Sequence, residues 1–220
     1  MLTTPPERLP APGKITIVAG TLLSALCWYF GHGLTGDYWY LAWVAPMPVL
    51  LLSFSTTERV GFWLAFTAYL LGRLSVLPWL AAVMPIAPAV LIVLALSFVF
   101  AGIVRRTRNV MLGAGTWYVL FAYPVFCTAF EYLLLIFSPD GTATSLAYSQ
   151  ANVGPLIQVA SLTGLLGITF LVSLVPSAVA VGWFMGQRRK AGALYVLAVT
   201  ALLLGGTWRL CPHRKLVRAG

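Results

Sequence analysis

Apolar residues run through this chain in long unbroken stretches parted by short polar breaks, and the short alternating pattern of membrane β-strands is absent. Windows of about twenty residues isolate seven runs: 15–30, 39–54, 60–80, 84–104, 111–137, 155–184 and 192–209. The hydrocarbon core of a bilayer offers no water to backbone N–H and C=O groups. Each such segment must therefore satisfy its own hydrogen bonds, and helices do so. The pattern predicts an all-α integral membrane protein, a polytopic bundle of about seven transmembrane helices. Four runs carry irregularities. The second, "WYLAWVAPMPVLLLSF", is short and holds Pro46 and Pro48, which predicts a broken or kinked beginning with aromatic side chains at headgroup level. The third contains Arg73 and ends at Pro78-Trp79. The fifth and sixth exceed one crossing and are expected to tilt, bend or protrude.

Composition removes the soluble alternative. Hydrophobic residues make up 60% of the chain and charged residues 9%, far beyond what a water-soluble core consumes. A net charge of +9 could suggest nucleic acid. The cations, however, sit in short clusters between apolar runs, as in Arg105-Arg106-Thr107-Arg108 and Arg188-Arg189-Lys190, with no aromatic-interleaved basic face. The expectation is no nucleic-acid partner. Arg8 and Lys14 precede the first run, Arg59 follows the second, Arg105, Arg106 and Arg108 the fourth, and Arg188, Arg189 and Lys190 the sixth. The other three connections carry no Lys or Arg, which places the N-terminus in the cytoplasm. The domains expected are a cytoplasmic arm over 1–14, a transmembrane domain over 15–209 and a basic tail over 210–220. Seven crossings put that tail outside despite Arg209, Arg214, Lys215 and Arg218, the other reading being that the last run does not cross. The first run lacks a small-residue cleavage site and reads as a retained helix.

Ionisable groups inside a membrane are costly and draw attention to themselves. The chain has five acidic residues, and Glu131 is set inside "AFEYLLLIF". Arg73 lies two-thirds along the third run. Pairing the two would relieve both, but spacing alone leaves that open against polar packing or a snorkelling arginine. The outer loop 138–155, "SPDGTATSLAYSQANVGP", has a turn at Pro139-Asp140-Gly141 and hydrogen-bonding side chains at Tyr148, Ser149 and Gln150 where a lipid headgroup could bind. His32, five residues before Asp37, reads as a solvated loop histidine, with a His/Asp pair as the other reading. His213 falls in the basic tail. Cys27, Cys127 and Cys211 lack metal-ligand spacing, so no metal and no cofactor is expected. The residues alone define no catalytic centre.

The fifth and sixth runs carry more than hydrophobicity. Glu131-Tyr132-Leu133, then Tyr148-Ser149-Gln150, then Val159-Ala160, Gly164, Gly167 and Phe170-Leu171 form a succession that resembles the membrane region of apolipoprotein N-acyltransferase, the bacterial enzyme that adds the third acyl chain to lipoproteins. Ala45, Pro46 and Pro48 are similar to an early Ala-Pro-x-Pro segment of that family, and Gly72 with Trp79 to its Gly-to-Trp stretch. The pattern departs at Leu134, where the family has arginine, at Gly141-Thr142-Ala143 in place of Phe-Pro-Trp, and at Pro176 in place of asparagine. The resemblance implies lipoprotein biosynthesis in the bacterial inner membrane. It also implies a nitrilase-like domain with a Glu-Lys-Cys triad beyond the seventh run, and these residues contain no such triad.

Three functions are in view: a membrane domain that binds phospholipid or lipoprotein acyl chains for a separate nitrilase-like partner and is not catalytic alone; a non-enzymatic scaffold of a secretion or conjugation assembly; and a small lipid transporter. Glu131, Arg73, Tyr148, Ser149, Gln150 and Trp79 are the candidate lipid-binding residues, and the expected partners are membrane lipids with a nitrilase-like protein or a lipoprotein.

Overall fold

The structure, a computed structural model, describes residues 12–32, 37–114, 116–137 and 145–186. Every regular element among them is helical. They are α1 (Lys14–Gly31), α2 (Leu41–Val44), α3 (Pro46–Ser55), α4 (Glu58–Arg73), α5 (Leu77–Val83), α6 (Ile86–Ala114), α7 (Ala122–Phe137) and α8 (Gly154–Phe184). A 3-10 turn over Trp117–Phe121 leads into α7 and another over Leu146–Gln150 precedes α8.

Six of the seven apolar runs coincide with these helices, while the run 192–209 and the basic tail lie outside the described residues. Four helical stretches are long and apolar enough to cross a membrane: Lys14–Gly31, Ile86–Ala114, Trp117–Phe137 and Thr163–Phe184. A fifth crossing results if α4 and α5, bent by 60° where Leu74, Ser75 and Val76 form turns, act as one.

The second run breaks where its sequence suggested. Ala45 separates α2 from α3, and Pro46 and Pro48 occupy the first turn of α3, where a missing N–H leaves no bond unmade. Arg105, Arg106 and Arg108, expected in a connection, ride instead on the last turns of α6. Arginine is a good helix former, and after Pro88 in the first turn no proline interrupts α6. At about 1.5 Å per residue the 29 residues of α6 span about 43 Å, so the helix outruns an apolar core of about 30 Å.

Large apolar side chains cover the outside, among them Val18, Leu26, Trp63, Leu91, Phe98 and Ile136, while small residues sit where helices touch. Ala42, Ala45, Ala65, Ala68, Ala101 and Ala180 are fully buried, as are Ser24, Ser53, Ser97 and Ser177. Without a hydrophobic force between helices in lipid, close packing of small residues and hydroxyl-to-carbonyl bonds hold a bundle together. Ser24 Oγ donates to Ala45 O at 2.6 Å and Ser177 Oγ to Leu120 O at 2.7 Å. Gly72 permits a close crossing: a Cβ there would lie 2.2 Å from Trp28 Cβ, so α1 and α4 approach this closely only because it has none.

The polar groups divide between two ends. At one, Glu58 takes the Arg105 guanidinium and accepts from Asn109 at 3.2 Å, while Arg108 donates to Ser53 O and Thr56 O, both at 2.8 Å, and closes the end of α3. Lys14 opens α1 near this end, since Pro12, Ile17, Glu58 and Arg108 wall one groove. At the opposite end lie His32, Arg73 and the 145–150 turn. The Arg59 and Arg105–Arg108 connections therefore share an end of the bundle.

A buried polar node beside an apolar-walled cavity

Glu131 lies at the centre of this opposite end. Its Oε1 accepts from the Leu146 backbone N–H at 2.6 Å, and its Oε2 accepts from Ser145 Oγ at 2.9 Å and also from Thr169 Oγ1. Three donors converge on this one carboxylate at a half-buried position. Leu134, where the family pattern has arginine, leaves the helix no cation one turn on. The Thr169 hydroxyl reaches the site because α8 kinks at Gly164, whose φ of 69° and ψ of −172° lie outside the range other residues adopt freely. The excess length predicted for the sixth run is taken up by this kink.

The loop after Glu131 is held twice. Ser145 Oγ accepts from Ala147 N at 3.2 Å, and Ser149 Oγ donates to Leu146 O at 2.7 Å. Gln150, 1% exposed, accepts from Trp43 Nε1 at 2.9 Å and donates to Trp39 O at 3.1 Å and Ser149 Oγ at 2.8 Å. Both N–H groups of its amide and its oxygen are thereby engaged inside the protein. Tyr148, between these anchored residues, is 42% exposed.

Arg73 is 5% exposed and donates through Nε and Nη2 to Tyr69 Oη at 3.1 and 2.8 Å. It does not snorkel out of the bundle. Arg73 and Glu131 line the same cavity, about 50 Å³ in volume, together with Trp28, His32, Tyr69, Tyr123, Cys127 and Thr169. Leu96, Phe100 and Ile103 of α6 and Phe130 and Leu134 of α7 add apolar lining. His32 corrects the expectation of a solvated loop residue: it is 8% exposed and stacks on Trp28 at 4.7 Å, because it closes α1 inside the aromatic cluster of Trp28, Tyr69 and Phe100. Asp37 is exposed.

Of the six candidate residues, Glu131 and Arg73 share the cavity, Ser149 and Gln150 anchor the loop, and Tyr148 faces outward from it. Trp79 lies on α5, 39% exposed, and is not among the residues lining the cavity. Asp140 and the rest of the turn at 139–141 lie outside the described residues. Sequence reasoning missed Trp28, Tyr69, Tyr123, Cys127, Ser145 and Thr169. A signal for four of them was present: Trp28–His32, Tyr69–Arg73 and Tyr123–Cys127–Glu131 are spaced by four, which stacks side chains on one helix face.

An all-helical bundle with an apolar exterior, small residues at its crossings and a carboxylate sealed by hydroxyls and a backbone N–H is an integral membrane protein with a polar site between its helices. Residues 19–178 match the apolipoprotein N-acyltransferase N-terminal domain, and the chain belongs to that family. It is also 28% identical over 179 residues to the apolipoprotein N-acyltransferase of Geobacter metallireducens, an alignment that covers 74% of this chain. The aligned region covers 33% of that relative's length.

Proposed function

We propose that this chain acts as a membrane module that holds phospholipid or lipoprotein acyl chains for a nitrilase-like catalytic part, carried on a longer chain or a separate protein. The observation that carries the reading is the junction of the family's elements at one point: Glu131 of the first binds Thr169 of the third and the turn that leads to Tyr148-Ser149-Gln150. That node ties the 145–150 turn to a cavity lined in part by Leu96, Phe100, Ile103, Phe130 and Leu134, which supports the reading. The contribution to acyl transfer is positional. A chain held between helices presents its ester with part of the entropy cost of approach already met. These residues supply no Glu-Lys-Cys triad, so transfer is not assigned to them alone.

The same reading gives seven crossings, with Leu41–Ser55 as a short one and 192–209 as the last. It places the arm over 1–14 and the Arg105–Arg108 end in the cytoplasm of a bacterial inner membrane, and the 145–150 turn and the tail on the far side. The shared end of Arg105, Arg108 and Glu58 supports this orientation. The test is purification in mild detergent followed by mass spectrometry of bound lipid and protein. Co-purifying acyl phospholipid and a nitrilase-like protein is the expected result, and recovery of neither contradicts the proposal. Arg73 and Glu131 in one cavity also favour a lipid transporter. On that reading Glu131→Gln alters lipid flux in reconstituted vesicles, and unchanged flux removes it.

A further inference from the structure

We propose that the 145–150 turn is a strap across the cavity, which opens it to the aqueous side at this end of the bundle by letting go of Glu131 while Gln150 stays anchored. The strap is independent of what the cavity holds. It bridges two walls of the bundle. Ser145 Oγ and Leu146 N donate to Glu131 of α7, and Gln150 bonds Trp43 of α2 and the Trp39 carbonyl just before it. Leu146 lines the cavity, so the strap is part of its wall.

The two anchors are unequal. Glu131 and Ser145 are only partly buried, so water reaches the bonds between them and offers replacement partners. Gln150 and Trp43 are buried, and parting them leaves a buried amide and an indole N–H with nothing in exchange. Release therefore begins at the Glu131 end. The carboxylate keeps Thr169 Oγ1 of α8 when the turn departs, so opening does not strip it of every donor. The turn also carries its own bonds. Ser145 Oγ accepts from Ala147 N, Ser149 Oγ donates to Leu146 O, and Tyr148 N donates to Ser145 O at 3.3 Å. A segment bonded to itself in this way moves as one body, and only the two bonds to Glu131 are given up. Burial of Leu146 and Ala147 holds it shut at rest.

Cys127 lines the same cavity and serves as the reporter. The test follows its reaction with a charged, water-soluble thiol reagent in the full chain, purified in detergent, with Cys27 and Cys211 replaced by serine. Ser145→Ala removes one of the two bonds to Glu131 and should speed the reaction about fivefold, the population shift that one hydrogen bond is worth. Ser24→Ala removes a buried bond to Ala45 O, away from the strap, and should leave the rate unchanged. A second measurement needs no variant. Hydrogen exchange resolved to single residues by mass spectrometry should find the Leu146 amide, bonded to Glu131, about tenfold faster than the Val153 amide, bonded to Gln150 O. No rise with Ser145→Ala, an equal rise with Ser24→Ala, or a Leu146 amide as protected as that of Val153 would each overturn the strap.

Discussion

Glu131 shows how a carboxylate is tolerated among aromatic and aliphatic neighbours. Three donors from two different stretches of chain converge on it, so its removal breaks a junction and not a single bond. Glu131→Gln retains the shape but puts an amide N–H₂ where an acceptor is needed. It should cost about 1–3 kcal/mol, read as a lowered thermal midpoint in detergent. Thr169→Val should cost less. The double variant should fall short of the sum of the two, since both remove the same contact. Gln150→Leu leaves the Trp43 indole N–H and the Trp39 carbonyl without the amide, and about 1–3 kcal/mol of destabilisation is expected. Increased proteolysis near residues 145–150 would report the loosened turn. Sequence singled out Glu131 and Gln150 by their rarity or by motif, but it could not say that the glutamine points inward. Trp43, its partner, is 107 residues away, and a long-range pair leaves no periodic trace.

At the scale of elements, the apolar runs were legible because backbone self-satisfaction in lipid forces a helix on every long run. The breaks were less so. Pro46 and Pro48 marked the start of α3, since a first turn has no intrahelical N–H bond for proline to remove. The 60° bend between α4 and α5 and the continuation of α6 through its arginines depend on what packs against them, which a single run does not record. Two glycines set the remaining geometry. Gly164→Ala forces a Cβ into a positive-φ conformation and should cost about 1–2 kcal/mol, straightening α8 and drawing Thr169 away from Glu131. Gly72→Ala drives a methyl into Trp28, an overpacking penalty of about 1–3 kcal/mol. Thermal unfolding of each variant, compared with Gly102→Ala, where a Cβ meets nothing within 4 Å, separates these effects from a general cost of substitution.

For the molecule as a whole, the governing feature is the sorting of polar groups to two ends of an apolar bundle, with Glu58, Arg105 and Arg108 at one and the Glu131 node, Arg73 and the 145–150 turn at the other. Charge counting along the chain grouped Arg59 with Arg105, Arg106 and Arg108, and among the described residues these do share an end. The cavity was beyond its reach, since its walls come from α1, α4, α6, α7 and α8 together. The lipid-bathed, two-ended arrangement is tested most directly by single cysteines in a background without Cys27, Cys127 and Cys211, using a membrane-impermeant thiol reagent on bacterial cells whose outer membrane has been permeabilised. Tyr148→Cys, exposed beside the node, should react while the inner membrane is intact, and Arg106→Cys, exposed on the last turns of α6, only after that membrane is broken. Equal labelling of the two positions before it is broken would contradict the account.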